Sequence, residues 1–232
     1  MTRRRTPRVH FSFRSPFSWM ALTELYRRIP DADEVLEFVP YWDPDEQTAA
    51  ALADRGAEIP YTPMSKAKHL YILQDTRRQA ARLGLSMTWP VDDDPWWELP
   101  HLAWLRARRL GVARRFYEAV VEARWEHGRD VCERPVLREV AEAAGLDPEP
   151  LLSAPESADI RRESVDCLER AFEDDIFGIP YFRVGRHRFW GLDRLDGFLA
   201  ELAVAGPQPP ASPEPAAARV GAYDTDTAGG CG

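Results

Sequence analysis

The stretch FSFRSPFSW, Phe11–Trp19, decides the fold because it joins the end of a strand pattern to the start of a helix pattern. Apolar side chains alternate along VHFSF, residues 9–13, as they do in a half-buried strand. Pro16 then stands in the first turn of the predicted helix, where proline is tolerated. Ser15 and Ser18 therefore lie three residues apart at a strand-to-helix junction, and their chemistry there needs an explanation.

The rest of the chain extends this α/β pattern and interrupts it once. VLEFVPY, residues 35–41, predicts a second strand, so the first strand, the helix and this strand form a βαβ unit with parallel strands. Helical spacing and no strand-like run characterise residues 48–153. Later patterns predict a helix over 158–174, hairpin strands over 181–184 and 187–190, and a last helix over 195–204.

This order of elements is that of the thioredoxin fold, an α/β fold, here with a large all-α insertion. We expect a discontinuous thioredoxin-like domain formed by residues 1–47 and 154–205, with an inserted helical domain at 48–153. From Gly206 the composition becomes rich in proline and then in glycine, which predicts a disordered tail over 206–232.

Composition excludes several classes of protein. The 232 residues carry a formal net charge of −8, which argues against a non-specific nucleic-acid binder. No apolar run approaches the length of a membrane span, and the three cysteines and five histidines show no metal-ligand spacing. We therefore expect no membrane segment, no metal site and a cytoplasmic location with reduced thiols.

The serine pair occupies the place where thioredoxin-type oxidoreductases carry Cys-x-x-Cys. Disulfide exchange needs sulfur, so Ser15-Pro16-Phe17-Ser18 cannot perform it. The helix N-terminus can still stabilise an anion, such as the thiolate of a ligand. The fold also predicts a cis-proline before its third strand, and Ile179-Pro180 stands at that position.

Five segments, in order, resemble one family. SPFSWMA, KAKHLYILQDTRRQAARLGL, EARWEHGRDV, FGIPYF and FWGLDRLDGF together look like the kappa-class glutathione transferases and 2-hydroxychromene-2-carboxylate isomerases. These proteins belong to the DsbA-like branch of the thioredoxin fold. The resemblance extends from about residue 8 to residue 204.

The resemblance implies an enzyme that binds glutathione in an extended pose across the cis-proline. The Ser15 hydroxyl would hydrogen-bond the sulfur and be the catalytic group, while Asp193 would face the γ-glutamyl ammonium and Lys68 a carboxylate. The implied glutathione-binding residues are Ser15, Phe17, Lys68, Ile179, Pro180, Leu192 and Asp193. The family usually has an asparagine that touches glutathione in the loop before the lysine, and residues 54–64 contain none.

Three functions remain open from the sequence. The first is a glutathione-dependent isomerase or transferase that acts on a small electrophilic or conjugated molecule, with an aromatic substrate expected and a homodimer as a further expectation. The second is a biosynthetic tailoring isomerase of the same fold that needs no glutathione, which the missing asparagine favours. The third is a non-catalytic binding protein with a thioredoxin frame.

Overall fold

The sheet has four strands in the order β2-β1-β3-β4. The strands are β1 Arg8–Phe11, β2 Glu37–Pro40, β3 Tyr181–Val184 and β4 His187–Trp190. β1 is parallel to β2 and antiparallel to β3, and β3 and β4 form an antiparallel hairpin. The computed structural model from which these elements are taken describes residues 6–59 and 65–204. The predicted βαβ unit and hairpin are both confirmed.

Ten α-helices accompany the sheet within the described residues. In chain order they are α1 Pro16–Arg28, α2 Ala32–Val35, α3 Glu46–Ala53, α4 Lys66–Arg82, α5 Glu98–Arg109, α6 Ala113–Val121, α7 Arg134–Ala143, α8 Pro148–Leu152, α9 Ala158–Glu173 and α10 Leu195–Val204. A π-helix spans Glu122–Glu126, and 3-10 turns span Ala154–Glu156 and Leu192–Arg194.

Neighbouring residues of β3 show that helices cover both faces of the sheet. Tyr181 packs against Ala171 of α9, whereas the ring of Phe182 stacks on Phe198 of α10 with the ring centroids 4.9 Å apart. Successive side chains of a strand point to opposite faces. α9 and α10 therefore lie on opposite sides of the sheet.

Several predicted boundaries were wrong by a few residues. β1 ends at Phe11 rather than at residue 13, because Ser12 already belongs to a hydrogen-bonded turn. Val35 completes the short helix α2, so β2 begins at Glu37. α3 lies in the region predicted to be helical, although its own pattern did not identify it. Its first turn is capped by Asp45, whose carboxylate accepts the Thr48 N–H.

Within the region predicted to be helical, the segment at residues 113–127 forms two elements. α6 ends at Val121, and the following turn is the π-helix that contains Arg124. This arginine is buried between the rings of Trp97 and Trp125, and its guanidinium carbon lies 4.7 and 4.8 Å from their centroids. Asp92 accepts two hydrogen bonds from the same guanidinium.

One hydrophobic core joins the sheet to the helical region between β2 and α9. The ring of Phe11 in β1 lies 5.0 Å from that of Trp104 in α5 and 5.3 Å from that of Tyr117 in α6. No strand occurs between β2 and β3 in the described part of the chain, as predicted. The division into two domains stays a prediction. The predicted tail over 206–232 and residues 60–64 of the loop without asparagine lie outside the described residues.

Candidate active site at the sheet edge

Strand directions bring most of the predicted site residues to one edge of the sheet. The register pairs Phe11 with Pro40, His10 with Tyr181, and Tyr181 with Trp190. The C-terminal ends of β1, β2 and β4 and the N-terminal end of β3 therefore share this edge. The α1 N-terminus, the Ile179-Pro180 segment and the turn after β4 all begin there.

Ser15 is the N-cap residue of α1. Its Oγ accepts a hydrogen bond from the Ser18 N–H at 3.1 Å, and its backbone N–H donates to the Ser12 carbonyl at 3.2 Å. The residue is half-buried, and none of the described residues accepts a hydrogen bond from its hydroxyl. A serine hydroxyl has one proton to donate in addition to its lone pairs. The cap therefore leaves that proton available to a ligand.

Ser18 is placed differently from Ser15. It is fully buried, and its Oγ accepts a hydrogen bond from the Ser12 N–H at 3.3 Å. The helix thus has one serine at its half-exposed start and one in its packed interior.

The Ile179-Pro180 peptide bond is cis, as its position in the sequence predicted. The carbonyl of Pro180 accepts a hydrogen bond from the Gly191 N–H at 3.0 Å, which ties this segment to the end of β4. Ile179 is half-buried against a small cluster that includes Ala171 and Ile176. Both residues lie next to the edge that carries the start of α1.

Leu192 and Asp193 form the 3-10 turn between β4 and α10. Asp193 lies two residues before Leu195, the first residue of α10, and its exposed carboxylate pairs with the Arg194 guanidinium at 2.7 Å. Gly191 has a φ of +99°, and a Cβ there would lie 2.8 Å from Asp193 Oδ1. A side chain at residue 191 would therefore displace the Asp193 carboxylate.

Phe17 and Lys68 are the remaining predicted contacts. Phe17 is the second residue of α1, half-buried and packed against the core. Lys68 lies in the first turn of α4 and is exposed. No ion pair within residues 6–59 and 65–204 involves Lys68, and none of their hydrogen bonds joins it to the sheet edge. The start of α1 places Phe17 at the sheet edge with Ser15, whereas no contact within the described residues ties Lys68 to that edge.

The two cysteines of the described residues are not poised for sulfur chemistry. Cys132 and Cys167 are buried, and burial raises the pKa of both thiols, that of Cys167 to about 11. No group of three or more His, Cys, Asp or Glu suited to a metal ion occurs among the described residues. Within the same residues, no helix has the length and apolar character needed to span a bilayer.

Comparison with known proteins identifies the family. The model of the DSBA-like thioredoxin domain matches residues 8–203. The chain belongs to the DSBA-like thioredoxin family. It is 30% identical to the 2-hydroxychromene-2-carboxylate isomerase of Sphingobium xenophagum over 189 residues, which are 81% of this chain and 92% of that protein. It is thus an isomerase homologue, as the resemblance in its sequence predicted.

Solved structures agree on the fold. A 2-hydroxychromene-2-carboxylate isomerase matches with a TM-score of 0.67 and 20% identity, over 85% of this chain and 94% of that one. The cytosolic disulfide reductase DsbM of Pseudomonas aeruginosa, solved with GSH, matches with a TM-score of 0.57 and 17% identity, over 86% and 98% of the two chains.

His101 is a residue of this DSBA-like edge that sequence reasoning missed. It is fully buried on α5. Its Nε2 lies 3.2 Å from the Phe13 nitrogen and 3.4 Å from Ser12 Oγ, and its Nδ1 lies 2.7 Å from the Trp97 carbonyl oxygen. Its place in the apolar run of α5 indicated burial but could not identify these partners.

A second buried group holds the loop after β2. Glu98, also fully buried, accepts a hydrogen bond from the Asp45 N–H at 2.9 Å. The Asp45 carboxylate accepts from Arg161 at 2.8 Å and from the Trp96 indole at 3.2 Å. Burial raises the pKa of Glu98 to about 7. The first turn of α5 thus contacts both loops at the edge, through Glu98 and His101.

Arg14 adds a positive charge beside Ser15. Its guanidinium forms an exposed ion pair with Asp43, which follows β2. Exposed ion pairs contribute little to stability, so a ligand that carries an anion can compete for the guanidinium. Because Arg14 precedes Ser15 directly, an anion bound there would lie near the α1 N-terminus.

Proposed function

We propose that this DSBA-like protein is a glutathione-dependent isomerase of a small conjugated aromatic carboxylate. The observation that carries the proposal is the Ser15 hydroxyl, whose oxygen accepts from the Ser18 N–H while its proton stays available at the start of α1. A hydroxyl donor together with a helix N-terminus favours a thiolate over a thiol.

The residues at the edge fit an extended tripeptide thiol. Ser15 would donate to the sulfur, Phe17 would line the cysteinyl side, and the backbone of Ile179 before Pro180 would pair with the cysteinyl amide. The exposed Asp193 carboxylate suits the γ-glutamyl ammonium. The absence of a side chain at Gly191 leaves room for this carboxylate. At the other end, Leu192 would pack against the γ-glutamyl stem, and Lys68 would meet a carboxylate.

When bound, glutathione would supply a thiolate able to add reversibly to a conjugated double bond and so permit rotation about it. The protein would lower the thiol pKa through Ser15 and hold the substrate in place. Isomerisation consumes neither oxidant nor reductant, which suits a chain whose Cys-x-x-Cys position holds serines. A reducing cytoplasm would keep such a cofactor active.

Arg14 supports a carboxylate substrate. A guanidinium recognises carboxylates through two parallel hydrogen bonds. The name of the curated relative also specifies a carboxylate. Replacing Arg14 by Gln should then raise KM for the carboxylate substrate about tenfold while glutathione affinity changes little.

Calorimetry tests the proposal. Purified protein is dialysed free of thiols and titrated near pH 7 with glutathione and with S-methylglutathione in two buffers of different ionisation enthalpy. We expect micromolar to millimolar binding of glutathione with proton release, and binding of S-methylglutathione without it, because only the free thiol can ionise.

The same dialysed protein is then assayed for isomerisation of 2-hydroxychromene-2-carboxylate with and without glutathione. Activity that needs glutathione supports the proposal. Activity without glutathione would instead favour the tailoring isomerase that needs none, to which the missing asparagine of residues 54–64 points. If the protein neither binds glutathione nor turns over the substrate, the remaining function is that of a non-catalytic binding protein.

A further inference from the structure

Three of the four backbone N–H groups of the Ser12–Ser15 turn donate to acceptors within the turn or in α1. The Ser12 carbonyl accepts from the Ser15 N–H at 3.2 Å, and Ser12 Oγ accepts from the Arg14 N–H at 3.2 Å. The Ser12 N–H donates to Ser18 Oγ. The Phe13 N–H has no such partner inside the turn. It donates to His101 Nε2, which belongs to a residue 88 positions later.

The His101 ring is fixed on both sides. Nδ1 is close enough to the Trp97 carbonyl, at 2.7 Å, to donate a proton to it, so Nε2 is left as the acceptor. The ring stacks on Trp42 with the centroids 5.0 Å apart, and the Phe13 ring lies 5.1 Å away. Burial lowers the pKa of His101 to about 3, so the imidazole stays neutral at physiological pH.

We propose that His101 is the positioning residue of Ser15, because its Nε2 holds the Phe13 N–H and so fixes the Ser12–Ser15 turn that presents the serine hydroxyl. Loss of this acceptor leaves a buried N–H without a partner, and the turn then rearranges to satisfy it. The Ser15 hydroxyl moves with the turn, since its backbone N–H is bound to Ser12. The inference deepens the proposed function and rests on it for its catalytic consequence.

Two variants of His101 separate the acceptor from the donor. In His101→Gln the side-chain oxygen can reach the position of Nε2 and accept from Phe13, while the bond to Trp97 is lost. In His101→Asn the side-chain amide can reach the position of Nδ1 and donate to Trp97, while the bond from Phe13 is lost. The Gln variant removes the contact of Nδ1 with Trp97, and the Asn variant removes the contacts of Nε2 with the Phe13 N–H and Ser12 Oγ. Only the Asn variant removes the proposed function.

We expect His101→Asn to raise the thiol pKa of bound glutathione and to lower kcat about tenfold or more, with little change in KM for glutathione. His101→Gln should retain most of the wild-type kcat and thiol pKa. His127→Asn serves as the matched control, because His127 is an exposed histidine far from this contact in the chain. If both His101 variants lose kcat in proportion to their lost thermal stability, the residue is only structural and the inference is wrong.

A reporter thiol tests the positioning without glutathione. In a Ser15→Cys, Cys231→Ser background, the alkylation rate of the introduced thiol against pH gives the pKa of a thiol at the start of α1, while Cys132 and Cys167 are buried. His101→Asn should raise this reporter pKa, and His101→Gln should not.

The two readouts distinguish failure of the inference from failure of the proposed function. Suppose that the wild type binds no glutathione but the reporter-thiol pKa still shifts in the His101→Asn variant. The positioning role of His101 is then supported, and glutathione is excluded as the cofactor. If the wild type binds glutathione but the reporter-thiol pKa is unchanged in both His101 variants, the positioning role of His101 is wrong while the proposed cofactor stands.

Discussion

Replacing Ser15 or Ser18 by alanine should affect different properties of the protein. Ser18→Ala should lower the free energy of unfolding more, whereas Ser15→Ala should impair the thiol chemistry more. Ser15→Ala removes an N-cap bond of 3.1 Å from a half-buried position. Loss of such a cap costs about 1 kcal/mol of unfolding free energy. Ser18→Ala instead removes the acceptor of the buried Ser12 N–H, and an unsatisfied buried donor costs about 1–3 kcal/mol. Ser18→Ala should therefore be the less stable protein.

The chemical effects should have the reverse order. A hydrogen bond to a charged group contributes about 1.5–3 kcal/mol, so loss of the Ser15 hydroxyl should raise the thiol pKa of bound glutathione by about one to two units. Turnover should fall about tenfold to a thousandfold, as for other donors to a developing charge. Ser18→Ala keeps the Ser15 hydroxyl but leaves the Ser12 N–H of the same turn without its acceptor, so its thiol pKa and kcat should change much less than those of Ser15→Ala.

The assay is the ultraviolet absorbance of the thiolate of bound glutathione against pH, measured for wild type and both alanine variants below their unfolding temperatures. Urea unfolding of the same preparations gives the stabilities. Superimposable titration curves for all three proteins would show that Ser15 is only a helix cap. A larger thiol pKa shift in Ser18→Ala than in Ser15→Ala would contradict the assignment of the two serines.

Three further changes test other parts of the site. Between pH 4.5 and pH 7 the Glu98 carboxyl is ionised in the unfolded wild type but keeps its proton in the folded one, so the wild type loses up to about 3 kcal/mol of stability over this interval. Glu98→Gln has no such proton and should gain that amount of stability relative to wild type. Urea unfolding midpoints at both pH values measure the stability difference between the two proteins, and a difference that does not change with pH would contradict the prediction. In calorimetry, Lys68→Gln should bind glutathione about tenfold more weakly than wild type, whereas Lys66→Gln on the same exposed turn should bind it as wild type does. Equal weakening in both variants would indicate a general effect of positive charge rather than a contact of Lys68 with glutathione. Gly191→Ala should cost about 1–3 kcal/mol of stability, because Gly191 has a φ of +99° and a ψ of 160° that glycine adopts almost alone. It should also weaken glutathione binding by displacing Asp193, and unchanged affinity in calorimetry would remove Asp193 from the site.

Local patterns predicted the frame of the molecule well. The hairpin strands over 181–184 and 187–190 and the last helix over 195–204 are confirmed to the residue, because alternation and helical spacing are properties of neighbouring residues. The end of β1 was placed too late, since the alternation through Phe13 continues into a turn whose hydrogen bonds come from side chains of α1 and α5.

The candidate site was predictable only where topology alone determines it. Ser15, Ile179 and Asp193 could be expected together because strand order in this fold places their segments at one edge. His101 and Glu98 were out of reach, since their roles depend on partners in Phe13 and Asp45 that only the packed α5 brings close. Helical spacing shows which positions of α5 are buried but not which backbone groups they meet.

The separation of 88 positions between Phe13 and His101 also orders events during synthesis. Ribosomes add about 5–20 residues per second, so the serine turn emerges roughly 4–18 seconds before the imidazole that holds it. During that interval β1 and α1 can form, but the Phe13 N–H lacks its acceptor. If His101 positions Ser15 as proposed, a nascent chain acquires the arrangement around Ser15 only when α5 docks, and a truncated chain that ends before α5 should lack it.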